Sequence, residues 1–186
     1  MVAVQLDKLQ DDPSEVQQRA QQLRKELVEI SDDVQALSHE LHSSKLEYLG
    51  AVAGIKSWCK EFGDRHGMKV TFQSDVFSPI PTDIGATLFR VLQEALHNAV
   101  KHSGVKQIEV RLLEQPNELH LTISDAGRGF EIGAAKQGRG LGLASMEERV
   151  RLVKGTITID SKPMGGTSIR ARVPFVFEQT PRAMAG

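Results

Sequence analysis

From Val16 the apolar residues recur at Ala20, Leu23, Leu27, Ile30, Val34, Leu37 and Leu41, in steps of 4, 3, 4, 3, 4, 3 and 4. A stripe this narrow is the seam of a coiled coil or four-helix bundle, because a helix lying on a globular core shows a wider apolar face. The pattern therefore predicts a helix that pairs in a dimer. Val2 to Gln10 reads as the tail of an earlier helix, with Val4, Leu6 and Leu9 as its apolar positions. Asp12 or Ser14 then caps a new start, with Pro13 tolerated in the first turn. The register slips at Ser43-Ser44-Lys45 and resumes through Leu49, Val52, Ile55, Cys59 and Phe62. No proline interrupts it, so a single helix is expected over residues 13–62, roughly 70 Å long at the usual rise. Gly63-Asp-Arg-His-Gly67 reads as a linker.

Beyond the linker the period changes from helical to alternating. Met68, Val70 and Phe72 alternate with polar neighbours, as in a half-buried strand. Lys106 to Leu113 and Leu119 to Asp125 form one alternating pair around Gln115-Pro-Asn117. Gly155 to Asp160 and Thr167 to Val173 form another around Pro163-Met-Gly-Gly166. Helical runs lie between them: Thr82 or Asp83 caps the first, which Ser103-Gly104 ends, and Leu141 to Val153 is the second. Strands side by side with helices on one face make an α+β fold, a two-layer α/β sandwich. The expected organisation is the end of a first dimerisation helix at 1–12, a long second helix at 13–62, a linker at 63–67, a folded domain at 68–176 and a tail at 177–186.

Composition narrows the functional classes. Of 186 residues, 40% are apolar and 25% charged, the balance of a soluble globular chain. A net charge of −1 gives no electrostatic reason for direct nucleic acid binding. No apolar run reaches the length of a membrane span. Cys59 is the single cysteine, so no intrachain disulfide can form and a reducing, cytoplasmic setting is natural.

Chemistry gathers on the first helix of the folded domain. Leu88, Val91, Leu92, Ala95, Leu96 and Ala99 make an apolar stripe. Glu94, Asn98, Lys101 and His102 line up about one turn apart on another face. Oxygens of Glu94 and Asn98 suit Mg²⁺ or its water shell, since that ion keeps several waters. Lys101 and His102 suit phosphate oxygens. Downstream, Asp125-Ala-Gly-Arg-Gly-Phe130 follows a strand and Gly138-Arg-Gly-Leu-Gly-Leu143 leads into a helix. The P-loop pattern is absent.

Taken in order, with Gly165-Gly-Thr167 behind them, these stretches resemble the N, G1 and G2 boxes of the GHKL (Bergerat) ATP-binding superfamily. The match is nearest to the catalytic domain of sensor histidine kinases and covers about residues 68 to 176. The resemblance implies that Asp125 accepts from the adenine amino group, that Gly127 and Gly129 let backbone approach the base, and that Thr167 assists through its hydroxyl. It implies ATP and Mg²⁺ as cofactors, with the metal at Asn98 and with Lys101, His102 and the Gly138, Arg139, Gly140, Leu141 and Gly142 stretch around the phosphates. Amides at a helix start form an anion site. Glu131 to Arg139 would be a short lid, with Lys136 and Arg139 able to reach the γ-phosphate. Glu94 holds a water or acts as base toward an acceptor imidazole; the sequence leaves both roles open.

Histidine kinases phosphorylate a histidine on a dimerisation helix. Ser38-His-Glu-Leu41 and Glu40-Leu-His42 imitate two acceptor boxes, making His39 and His42 the candidates within the chain. Neither box continues: His42-Ser-Ser-Lys45 stands where Arg-Thr-Pro-Leu belongs, and Ser43 stands where an acidic neighbour belongs. Leu37 to Phe62 instead resembles the second dimerisation helix of the subfamily that signals to helix-turn-helix response regulators. On that alignment the acceptor precedes residue 1, and the implied partners are a second copy of the chain and a response regulator receiver domain. Two rivals carry the same boxes: a GHKL ATPase clamp, and a module that reads nucleotide without transferring phosphate. Asn98 and Asp125 favour turnover over mere reading, and the heptad helix favours the histidine class.

Overall fold

The computed structural model describes residues 49–133 and 141–175. The heptad seam, His39, His42, Lys136, Gly138, Arg139, Gly140 and the tail lie outside the described residues. The chain divides into two compact units, Met1–Ser44 and Lys45–Gly186, and the described residues all belong to the second.

That unit runs α1 (Ala51–His66), β1 (Lys69–Asp75), α2 (Thr82–Asn98), a π turn (Ala99–Ser103), β2 (Gln107–Gln115), β3 (Glu118–Asp125), α3 (Leu141–Leu152), β4 (Thr156–Ser161) and β5 (Thr167–Pro174). The strands form one five-stranded sheet in the order β1-β2-β3-β5-β4. β1 pairs parallel with β2, the crossover being α2, and the remaining pairs are antiparallel. Alternation sets which face is covered. Ile108, Val110 and Leu112 of β2, and Leu119 and Leu121 of β3, are buried. Ala171 and Val173 of β5 complete the same face. Against it lie Leu88, Val91, Leu92 and Leu96 of α2 and Met146 and Val150 of α3. Each such side chain contributes about 1.5–3 kcal/mol by leaving water. The two-layer sandwich expected from the alternation is the fold observed.

The amino-terminal boundary differs from the expectation. The helix expected unbroken over residues 13–62 is interrupted at Gly50, which has φ 78° and ψ 156°. An L side chain rarely adopts that backbone, so only glycine makes the break cheaply. The helix that restarts at Ala51 runs on to His66, so the expected linker at 63–67 is mostly its last turn. Its apolar side chains serve the sandwich: Ile55, Trp58, Cys59 and Phe62 are buried in the same core as α2 and β2. Trp58 packs on Phe62 and edge-on to Phe89 of α2, with ring centroids 4.9 and 5.3 Å apart. The folded unit thus takes in α1 and starts well before residue 68. A smaller difference lies at the start of α2, where Pro81 occupies the cap position and no side chain caps it.

Candidate functional site

β3 ends at Asp125 and β5 begins at Thr167, and the antiparallel register sets these two residues opposite each other. α2 crosses the sheet above them. Between helix and sheet lies a cavity of about 410 Å³, lined by Asn98, His102, Asp125, Gly129, Gly142 and Thr167 among others. Six residues expected at the site from sequence are therefore brought together. Its walls include Ile123, Leu143 and Ile169, an apolar slot suited to a flat ring.

Burial pushes the Asp125 carboxyl above the usual aspartate range, and the Gly127 amide opposes the shift by donating to Asp125 Oδ1 at 2.8 Å. Such a carboxylate is short of partners for its charge and favours a ligand N–H. The hydroxyls beside it have fixed directions. Ser161 Oγ donates to the Gly166 carbonyl at 3.0 Å and accepts from the Phe130 amide at 2.9 Å. Its one proton is thereby used, so Thr167 Oγ1, 3.0 Å away, is the donor between them. Thr167 consequently offers the cavity an acceptor.

The loop after β3 is braced on both sides. Arg128 N donates to Ser103 O, and Gly166 N to Gly127 O, each at 2.9 Å. The fit leaves no room for side chains. A Cβ on Gly127 would stand 2.6 Å from Ser103 Cβ, and one on Gly129 would stand 2.0 Å from the Lys162 carbonyl oxygen.

At the helix wall, Asn98 Nδ2 donates to Glu94 Oε1 at 3.0 Å, which leaves the carboxamide oxygen of Asn98 free to accept. The Glu94 carboxylate also lies against Gly142 at the start of α3, where a Cβ would come within 1.9 Å of Oε1. The π turn that follows inserts an extra residue into the helix turn. His102 and Ser103 both face the cavity as a result. Lys101, expected to share the face of Asn98, is exposed and does not line the cavity. Glu94 sits beside the lining rather than in it, and Gly127 acts through its amide. Leu141 opens α3, as expected of a helix start at the glycine-rich stretch.

Ser103, Ser161, Phe130 and Leu143 were not expected at the site. Ile123 and Ile169 had a signal that went unused: Ile123 lies two residues before Asp125 on the same strand face, and Ile169 is its cross-strand partner. No group of three or more His, Cys, Asp or Glu side chains able to hold a metal occurs among the described residues.

An α/β sandwich whose sheet ends in a buried carboxylate beneath a slot, with glycines where side chains would block it, is a nucleotide-binding domain. Residues 84–176 match the family model described as Histidine kinase-, DNA gyrase B-, and HSP90-like ATPase. The oxygen sensor histidine kinase NreB of Staphylococcus carnosus (strain TM300) is 36% identical over 175 residues, covering 94% of this chain and 50% of that protein. The chain thus spans about half the length of the curated relative it matches. The histidine kinase domain of the blue-light activated histidine kinase EL346 from Erythrobacter litoralis superposes with a TM-score of 0.57 at 20% identity, over 67% of this chain and 61% of that one. Full-length ShkA in complex with AMPPNP gives 0.56 at 18% identity, over 84% of this chain and 39% of that one. These two likenesses show the fold. The chain belongs to the histidine kinase-, DNA gyrase B- and HSP90-like ATPase family, as a sensor histidine kinase core.

Proposed function

We propose that the chain binds Mg-ATP in this cavity and transfers its γ-phosphoryl group to a histidine on a dimerisation helix, from which it passes to an aspartate of a response regulator receiver domain. The observation that carries the reading is the pairing of Asp125 with Thr167 at the strand ends, beneath a helix that offers Asn98 and His102 to the same cavity. Asp125 accepts from the exocyclic amine of adenine and Thr167 accepts at the neighbouring ring edge. Ile123 and Ile169 exclude water from the ring faces.

Asn98 and Glu94 supply hard oxygens, the donor set that Mg²⁺ takes when phosphates and waters fill its other positions. Bound there, the ion would neutralise charge between the β- and γ-phosphates. The residues of the chain do the rest by positioning. Amides from Gly138 to Gly142, at the start of α3, hold phosphate oxygens, with Arg139 and Lys101 as further cations. The bond between the γ-phosphorus and the β-phosphate oxygen breaks with its electron pair going to ADP, as an imidazole nitrogen lone pair forms the N–P bond. The imidazole proton then goes to Glu94 or to a water that Glu94 holds. The acceptor histidine lies ahead of residue 1 in the whole protein, and His39 and His42 flank the dimer seam. Two copies pair through the amino-terminal helices in the cytoplasm. Among the described residues no helix is long and apolar enough to cross a membrane.

The test separates binding from transfer. The chain is titrated with Mg-ATP by calorimetry, and a second sample is incubated with Mg-ATP and the preceding region of the parent protein. Saturable binding and an acid-labile, base-stable phosphate on that region are expected. Absence of nucleotide binding overturns the proposal, and phosphate on His39 or His42 overturns the placement of the acceptor.

A further inference from the structure

α2 and α3 pack against each other, and their contacts can be followed rung by rung. Glu94 of α2 meets Gly142 of α3. One turn back along α2 is Arg90, and two turns forward along α3 is Arg149, so the next rung sets two guanidinium groups facing the same groove. Both are half-buried. Burial first, and then the positive charge of Arg149, lower the Arg90 pKa to about 10. Each arginine is tied down by a neutral oxygen: Arg90 Nη1 donates to Gln93 Oε1 at 2.5 Å, and Arg149 Nε to Ser145 Oγ at 3.2 Å. Among the described residues neither forms a salt bridge with a carboxylate.

Two like charges held together and partly out of water raise the energy of the fold, and an anion between them removes that cost. Neither arginine lines the nucleotide cavity, so the phosphates of a bound nucleotide are not that anion. We infer that Arg90 and Arg149 form a receptor for a carboxylate of the polypeptide that presents the acceptor histidine. The placement supports this occupant. Arg90 lies about 6 Å along the helix axis from Glu94, and a segment delivering an imidazole to the Glu94 and Asn98 end of the cavity passes over that groove. Paired guanidinium groups offer the planar, forked donors that a carboxylate accepts from. The inference rests on the kinase reading above.

The experiment uses the full-length parent protein and compares wild type with Arg90→Ala, Arg149→Gln, the double variant and Arg90→Lys. Mg-ATP affinity is measured beside the rate of phosphohistidine formation. Expected is ATP affinity within twofold of wild type in every variant, with transfer slowed about tenfold in each single variant, no more than about thirtyfold in the double, and partly restored by Arg90→Lys. Transfer at the wild-type rate in the double variant overturns the receptor and leaves the kinase reading standing. Parallel loss of ATP affinity overturns it also, since the arginines would then serve the nucleotide. A wild type that binds ATP but forms no phosphohistidine overturns the kinase reading and the receptor together. Titration of the 186-residue chain with inorganic phosphate, read at the arginine Nε–H resonances, distinguishes a free anion. Submillimolar saturation overturns the polypeptide carboxylate as occupant, and weaker binding supports it.

Discussion

Replacing Gly142 by alanine separates the site from the fold, because of what the added methyl meets. Its Cβ would lie 1.9 Å from Glu94 Oε1, 2.8 Å from Cδ and 3.4 Å from Cγ. The obstacle is the far end of a flexible side chain, so Glu94 rotates away and the backbone stays. That rotation breaks the 3.0 Å bond to Asn98 Nδ2. An off-rotamer glutamate costs about 0.5–1.5 kcal/mol, and the lost hydrogen bond about 1 kcal/mol. The helix recovers about 1 kcal/mol from alanine in place of glycine. Net stability changes by about 0–2 kcal/mol, a fall in Tm of about 8 °C at most. Mg-ATP, however, loses an oriented Asn98 and a placed Glu94, worth about 1–2 kcal/mol, so Kd rises roughly 5- to 30-fold. Gly166→Ala is the contrasting variant. Its Cβ would stand 2.2 Å from the Asp125 backbone oxygen at a residue with φ 74°. Backbone cannot step aside, so left-handed strain of about 1–2 kcal/mol adds to overpacking of about 1–3 kcal/mol. Calorimetric titration with Mg-ATP and thermal melts of both variants test the distinction. A Gly142→Ala protein with wild-type Mg-ATP affinity, or one that unfolds like Gly166→Ala, would refute the reasoning.

Asn98→Ala should abolish Mg-ATP turnover and leave the melt nearly unchanged, and unaltered turnover would sink the metal assignment. Asp125→Asn should remove adenine discrimination, measured as the ratio of ATP to GTP affinity. The same variant should flatten one limb of the pH–stability curve: the folded carboxyl titrates above the unfolded one, so the folded state holds more protons and the apo chain loses stability as pH rises through the range just above the ordinary aspartate value. A curve identical to wild type would contradict the burial of that carboxylate. Cys59 is buried and its thiol is pushed up to about 12 by desolvation. At neutral pH it should react with a thiol reagent only as fast as the domain unfolds; rapid labelling of the native chain would show that α1 is not docked.

The parts of the site that were legible in the sequence are those fixed by short-range spacing. Asp125 at a strand end and Thr167 at a strand start follow from alternation plus a turn, and the register of β3 against β5 then carries them to one place. Asn98 follows from the apolar stripe of α2. Lys101 was misplaced because helical spacing was extended through Ala99–Ser103, where the turn is wider. Nothing in Ala-Val-Lys-His-Ser announces a π turn; it is held by tertiary bonds such as Ser103 O to Arg128 N. The break at Gly50 was missed for a related reason. Val52, Ile55, Cys59 and Phe62 continue the helical period of the preceding seam, so periodicity alone could not tell a change of packing partner from a continuation.

That change of partner decides where this protein can be cut and rejoined. Residues 84–176 carry the family's signature, but Trp58, Cys59 and Phe62 sit in the same core as Phe89 and Leu92. A recombinant fragment begun at Met68 would leave the α1 side of α2 open to water and invite aggregation. A chimera joined at Gly50 would carry its whole core with it. The natural module for exchange between sensors is therefore bounded by a single glycine that breaks the helix, some 34 residues ahead of the matched segment (84 minus 50).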